Sequence, residues 1–243
     1  MKLINYFERV YIVNLPERVD RRREIEHELQ RIGLSVDGQH IRYFRAIRPE
    51  SAGLFPSLGA RGCFMSHLEI LREAKRDGLD NILVMEDDLT MDPRLGLEQP
   101  EMLTRLQNGS WDILYLGHVE STPDAIERPA LRISQIPMAT THFYALNRQG
   151  IATLLEHLEA CLTRLPGHPM GSPMHVDGAY SLLRSLQPGI LTLMAVPSLG
   201  GQRSSRSDIY PNKWYDRAPM LKQMAAIARN IKNCKVRSIQ PAD

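Results

Sequence analysis

The 243-residue chain is 43% hydrophobic and 24% charged, with a formal net charge of +2. This is ordinary globular composition, long enough for one large α/β domain or two small ones and too weakly charged to argue for nucleic acid. No stretch reaches the roughly 18 uncharged apolar residues of a membrane span, residues 10–15 form too short an apolar core for a signal peptide, and Cys63, Cys161 and Cys234 have neither disulfide nor zinc-finger spacing. A reducing, cytosolic setting is expected.

Residues 9–15 (R-V-Y-I-V-N-L) are β-branched and apolar and predict a first strand. Pro16 follows, and 17–31 predicts a helix with Ile25, Leu29 and Ile32 as its apolar stripe, stopped by Gly33. Arg18, Arg21, Arg22 and Arg23 crowd the start of that helix, where cations are unfavourable, so a negative neighbour is expected: a phosphate, the acidic segment described next, or only solvent. Residues 40–47 predict a second strand, and 49–60, rich in Pro, Gly and Ser, a loop. A helix is expected from about Gly62, because Cys63, Ser66, His67, Ile70, Leu71 and Ala74 recur at helical spacing. Its His67 suits a hydrogen-bonded core group as well as a catalyst. Asp77-Gly78 ends it.

Residues 82–85 are an apolar run suited to a strand buried on both faces, and they lead into Glu86, Asp87 and Asp88. Desolvating three unpaired carboxylates would cost several kcal/mol each, so the acids are expected at the sheet's carboxyl edge, in water or around a cation. That edge is where open α/β sheets bind ligands. Further helices are expected over about 101–109, 148–158 and 177–186, with strands over 111–116, within 131–146 and over 190–196. Residues 120–129 and 165–173 read as loops, and 197–211 as a long irregular segment of Gly, Ser and Arg. The alternation of strands and helices predicts an α/β domain over 1–218. Residues 219–243 follow as a basic amphipathic helix and tail, which either docks on the domain or rests on an anionic membrane surface.

Neither a dinucleotide-binding glycine fingerprint nor a P-loop is present, nor a serine nucleophile elbow nor a zincin motif. An oxygen-only acidic cluster favours Mg²⁺ or Mn²⁺, ions whose shells are commonly completed by water and substrate phosphate.

Six blocks then occur in order: V-Y-I-V-N-L-P-x-R-x-x-R-R (10–22), G-C-F-M-S-H-L (62–68), I-L-V-M-E-D-D (82–88), W-D-I-L-Y-L-G (111–117), V-D (176–177), and P-S-L-x-x-Q (197–202) with S-D-I (207–209). Together they resemble glycosyltransferase family 25, which includes lipooligosaccharide-extending enzymes and collagen hydroxylysine galactosyltransferases. The resemblance implies a GT-A-type nucleotide-sugar-binding fold, a UDP-sugar donor, galactose favoured, and inversion at the anomeric carbon. It implies a glycan or glycolipid acceptor, such as lipooligosaccharide, and a cytoplasmic location that peripheral contact with the inner membrane surface would suit. A non-catalytic relative that keeps the fold and binds a nucleotide sugar or glycan is the alternative.

Carried onto matching positions, the resemblance makes Glu86-Asp87-Asp88 the counterpart of a D-x-D motif. Glu86 and Asp88 are the expected Mn²⁺ or Mg²⁺ ligands, since alternate residues leaving a strand point the same way, and Asp87 sits with the diphosphate. Asn14, Leu15 and Arg18 would line the nucleotide pocket and Ser66 and His67 would lie beneath the donor. Gln202 and Arg203 would contribute from the far end of the chain, where Arg203 or Arg206 could close on the diphosphate. Asp177 is the expected general base, with Asp208 as second choice. Two positions depart from the family pattern: Ala60 stands where an acid is usual, and no histidine follows His175 to serve as a late metal ligand, leaving His175 or water for that place.

Overall fold

The computed structural model describes residues 1–119 and 128–203. They fall within one compact unit, Met1–Ser205. The boundary expected at 218, the helix expected after it, Arg206 and Asp208 lie outside the described residues, as does most of the loop expected at 120–129.

After a short 3-10 helix at Leu3–Tyr6, the chain runs through β1 (Arg9–Asn14), α1 (Val19–Arg31), β2 (Ile41–Arg45), α2 (Leu58–Arg76) and β3 (Asn81–Glu86). After β4 (Leu89–Met91) come α3 (Pro100–Asn108), β5 (Ile113–Tyr115), β6 (Ala130–Ile133), β7 (Phe143–Asn147), α4 (Arg148–Thr163), α5 (Val176–Leu186), β8 (Thr192–Val196) and β9 (Gly200–Gln202). Seven strands form one mixed sheet in the order β2-β1-β3-β7-β5-β8-β6. β1 pairs in parallel with both β2 and β3, and β5 with β8, while β7 and β6 run the other way. This is the helix-flanked, mixed α/β architecture expected of the chain.

Strand alternation divides the core between the two faces of the sheet. Val10, Ile12, Leu83, Met85, Phe143 and Ala145 join α1 and α3 on one face. Tyr11, Ile82, Val84, Tyr144 and Leu146 join α2, α4 and α5 on the other. Burying each large side chain of this kind contributes about 1.5–3 kcal/mol relative to leaving it in water. The same parity sets the direction of the functional end of β3: Glu86 follows Ile82 and Val84 onto the α2 face.

Four expectations need correction. α2 starts a full turn before Gly62, because Ser57 caps it, its hydroxyl accepting the Ala60 N–H at 3.0 Å. The loop expected through Ala60 therefore ends sooner. α4 continues past Leu158 to Thr163. The segment after Pro197 is not irregular throughout, since β9 pairs antiparallel with β4 as a second, two-stranded sheet, Leu89 opposite Gln202. Finally, the acids are not all in water: Asp87 and Asp88 are only 5% and 8% exposed, and Asp87 is paired within the protein.

Candidate active site

The site forms where β1 and β3 end side by side, with Val13 opposite Glu86. β3 stops at Glu86 and the next two residues are a turn, so strand alternation does not extend to Asp88. The small β4–β9 sheet brings the late chain back onto this turn, and Arg203 holds it there. Its backbone N–H donates to the Asp88 carbonyl at 2.8 Å, and its guanidinium donates to the Asp87 and Leu89 carbonyls at 3.0 and 3.1 Å and pairs with Glu24 at 3.2 Å. Arg203 is thus engaged in shaping the turn.

Asp87 points toward α1. Asn14 Nδ2 donates to it at 2.6 Å and Arg21 at 2.8 Å, and the same guanidinium stands 3.5 Å from Asp88. Of the negative neighbours considered for the arginines at the start of α1, the acidic turn is therefore the one Arg21 meets. Arg22 donates to Asn14 Oδ1 at 2.5 Å and lies over the Tyr43 ring, and Arg18 chelates the Asp20 carboxylate. Leu15 is partly buried and its carbonyl accepts the Arg18 N–H at 2.8 Å.

Glu86 points the other way. Gln202 donates to its Oε2 at 2.7 Å, and its Oε1 lies 4.0 Å from His67 Nε2, too far for a hydrogen bond. Burial, with Asp88 and Asp87 adding their charges, pushes the Glu86 carboxyl up to about 8. Burial also raises Asp88, against the pull of Arg21. Asp88 Oδ1 has no hydrogen-bond partner among the described residues. A buried carboxylate oxygen without a donor, beside a second carboxyl held protonated, is an environment that a divalent cation would relieve; the donor chemistry of Glu86 and Asp88 fits one.

α2 forms the opposite wall. Gly62 is required there, since a Cβ would come within 2.7 Å of the Ile47 carbonyl. Four residues on, Ser66 accepts the Ile47 N–H at 2.8 Å and donates to the Gly62 carbonyl at 2.7 Å, tying the loop after β2 to the helix. His67 is wholly buried; its Nδ1 is 2.7 Å from the Tyr144 hydroxyl, which meets that of Tyr180 at 3.0 Å. Burial pulls the imidazole down to about 4, so it is neutral at ordinary pH. Its Nε2 has no partner among the described residues.

Cys63, one turn earlier, completes this wall. One ligand-capable atom each from Cys63, His67 and Glu86 lie within 4.8 Å of one another. Cysteine spacing along the chain gave no metal signature because two of these donors share a helix and the third comes from the next strand. The usable signal was the i, i+4 pair Cys63 and His67 in a helix leading directly into the acidic strand.

Asp177 lies partly buried in the first turn of α5, and its Oδ1 accepts the Gly178 N–H at 2.8 Å. Its charge reaches the same wall: burial first, then Glu86, Asp177 and Asp88, drive the Cys63 thiol well above its ordinary range. The fold thus brings Asn14, Ser66, His67, Glu86, Asp87, Asp88, Asp177, Gln202 and Arg203 to one edge of the sheet. His175, the residue before α5, is not part of the group formed by Cys63, His67 and Glu86.

A family model described as glycosyltransferase family 25 (LPS biosynthesis protein) matches residues 7–165. The chain belongs to that family. Among family 25 relatives, the human protein named inactive glycosyltransferase 25 family member 3 is 31% identical over 172 residues, 61% of this chain and 29% of the relative. Procollagen galactosyltransferase 1-B of Xenopus laevis is 23% identical over 200 residues, 75% of this chain and 32% of the relative. The chain therefore spans about a third of the length of these curated relatives. A crystal structure of a glycosyltransferase involved in the glycosylation of the major capsid of PBCV-1 superposes with a TM-score of 0.47 at 12% identity, covering 76% of this chain and 79% of that one. No helix among the described residues is long and apolar enough to cross a membrane.

Proposed function

We propose that the protein is an inverting hexosyltransferase that moves a sugar, galactose favoured, from a UDP-sugar to a hydroxyl of a glycan acceptor such as lipooligosaccharide. Family membership and the procollagen galactosyltransferase relatives support the chemistry. The observation that carries it is that three carboxylates from separate elements, Glu86 of β3, Asp88 of the acidic turn and Asp177 of α5, all stand near enough to Cys63 of α2 for their charges to act on its thiol. A module that only bound a glycan would have no need of a further carboxylate near the acidic turn.

In this reading the acceptor oxygen forms a bond to the anomeric carbon as the bond from that carbon to the UDP oxygen breaks. The acceptor proton passes to the Asp177 carboxylate. A single displacement of this kind inverts the anomeric centre, by the geometry that separates inverting from retaining glycosidases. Glu86 and Asp88 would hold Mn²⁺ or Mg²⁺, which when bound supplies positive charge to the departing diphosphate. Gln202 and Arg203 fix the turn that presents those acids. Asn14 and Leu15, at the end of β1, lie where the nucleotide would enter. Cytoplasmic placement belongs to the same reading, with the donor drawn from the cytoplasmic pool.

One observation favours a second reading, a binding protein without turnover: the 31% identical human relative is named inactive. Release of UDP from a panel of UDP-sugars, with and without glycan acceptors, separates the two. The transferase reading predicts acceptor-dependent UDP release that Asp177→Asn lowers about 10²–10⁴-fold without lowering the melting temperature. Tight UDP binding with no release on any acceptor, or undiminished release by Asp177→Asn, contradicts it.

A further inference from the structure

On the α2 side of Glu86 the structure holds a donor set of a different kind from the oxygen pair considered above. Cys63 and His67 are separated by one helical turn and therefore share a face of α2. β3 lies against that face, and its parity turns Glu86 toward them. The Sγ, imidazole nitrogen and carboxylate oxygen lie within 4.8 Å of one another. In a tetrahedral site with bonds of about 2.0–2.3 Å, ligand atoms are separated by about 3.3–3.6 Å. Small side-chain rotations would close the difference.

The unpartnered ring nitrogen of His67 makes this more than a chance cluster. His67 is wholly buried, and its Nδ1 is committed to the Tyr144 hydroxyl, itself held by Tyr180. With Nδ1–H donating to Tyr144, Nε2 is left as an acceptor, 4.0 Å from Glu86 Oε1 and with no donor among the described residues. A ring nitrogen oriented by a hydrogen bond on its other nitrogen is the arrangement metal-bound histidines commonly show. In that tautomer the buried imidazole holds a free lone pair 4.0 Å from the Glu86 carboxyl.

We infer that Cys63, His67 and Glu86 form a transition-metal site that takes a borderline dication such as Zn²⁺ in preference to Mg²⁺. Thiolate and imidazole donors set that preference, since Mg²⁺ demands oxygen ligands in octahedral array. Three protein donors leave the fourth position of a tetrahedral site open. On binding, the metal replaces the thiol proton, which leaves to solvent. The site shares Glu86 with the donor site proposed above and stands whether or not sugar is transferred.

Co²⁺ titration of the metal-stripped full chain tests it, because only a thiolate ligand gives a near-ultraviolet thiolate-to-cobalt charge-transfer band. The expected result is a band saturating at one Co²⁺ per chain, removed by Zn²⁺ but not by excess Mg²⁺, and absent in Cys63→Ser. Tyr144→Phe is expected to keep the band and weaken Co²⁺ binding about 10–100-fold. No band in the wild-type chain overturns the inference without recourse to any variant, and so does a band that persists in Cys63→Ser. UDP release is not part of the readout, so loss of the transferase reading leaves this result interpretable.

Discussion

On the α1 side of the acidic turn, Asp87 has a donor for each carboxylate oxygen, Asn14 for one and Arg21 for the other. On the α2 side, His67 Nε2 has none among the described residues, and in the turn itself neither does Asp88 Oδ1. Residues 86 to 88 are adjacent in the chain and equally acidic, so composition does not cause the difference. Strand parity does: Glu86 is sent toward α2, and the turn that follows sends Asp87 back toward α1. A buried charge with a full set of partners is structural, whereas buried polar atoms left without partners are where a ligand repays the cost of their desolvation.

Three substitutions test how deep that contrast goes. Arg21→Ala removes the cation from a pair whose side chains are 13% and 7% exposed, leaving the buried Asp87 side chain without it. It is expected to lower unfolding free energy by about 3–5 kcal/mol in chemical denaturation; a loss below about 1 kcal/mol would show that the α1 side is not held by this pair. Glu86→Gln should act in the opposite direction. The Glu86 pKa is raised to about 8 in the folded chain, so folding there favours the protonated acid. The contribution of Glu86 to the stability of the metal-free protein is therefore full below the ordinary carboxylate range and is lost as pH rises toward about 8. Glu86→Gln should abolish that decline and gain about 1–3 kcal/mol at alkaline pH; melting curves in EDTA across pH 5 to about 9 would detect it, and a slope unchanged by the substitution would contradict the assignment. Ser66→Ala should cost the least, about 1–2 kcal/mol, because it leaves the Ile47 N–H without its acceptor. It should leave UDP affinity unchanged, marking Ser66 as a strap beneath the pocket and not as a donor contact.

Much of this arrangement was legible in the residues. The apolar run 82–85 entering three acids located the end of β3, and the spacing of Cys63, Ser66, His67, Ile70, Leu71 and Ala74 located the inner face of α2. Both signals are strong because they are local periodicities. The β4–β9 ladder was not legible: Gly-Gly-Gln carries no strand propensity, and its partner is Leu89–Met91, far away in sequence. The start of α2 was hidden because residues 49–60 have loop composition and only the Ser57 cap reveals the earlier turn. The different fates of Glu86, Asp87 and Asp88 could not be read either, because they depend on which side of the sheet α1 and α2 pack. The grouping of Cys63 with His67 and Glu86 is hidden for a related reason, the third partner being supplied by another element.

The central proposal is that a divalent cation and a sugar-nucleotide diphosphate meet at the acidic turn, and calorimetric titration of the full chain with UDP, in Mn²⁺ and in EDTA, tests that directly. It predicts that Mn²⁺ strengthens UDP binding by about 5–150-fold, the usual range for two ligands coupled through one site, and that Asp88→Asn removes the gain while the fold persists. Equal UDP affinity in Mn²⁺ and in EDTA, or a Mn²⁺ effect undiminished in Asp88→Asn, would contradict it.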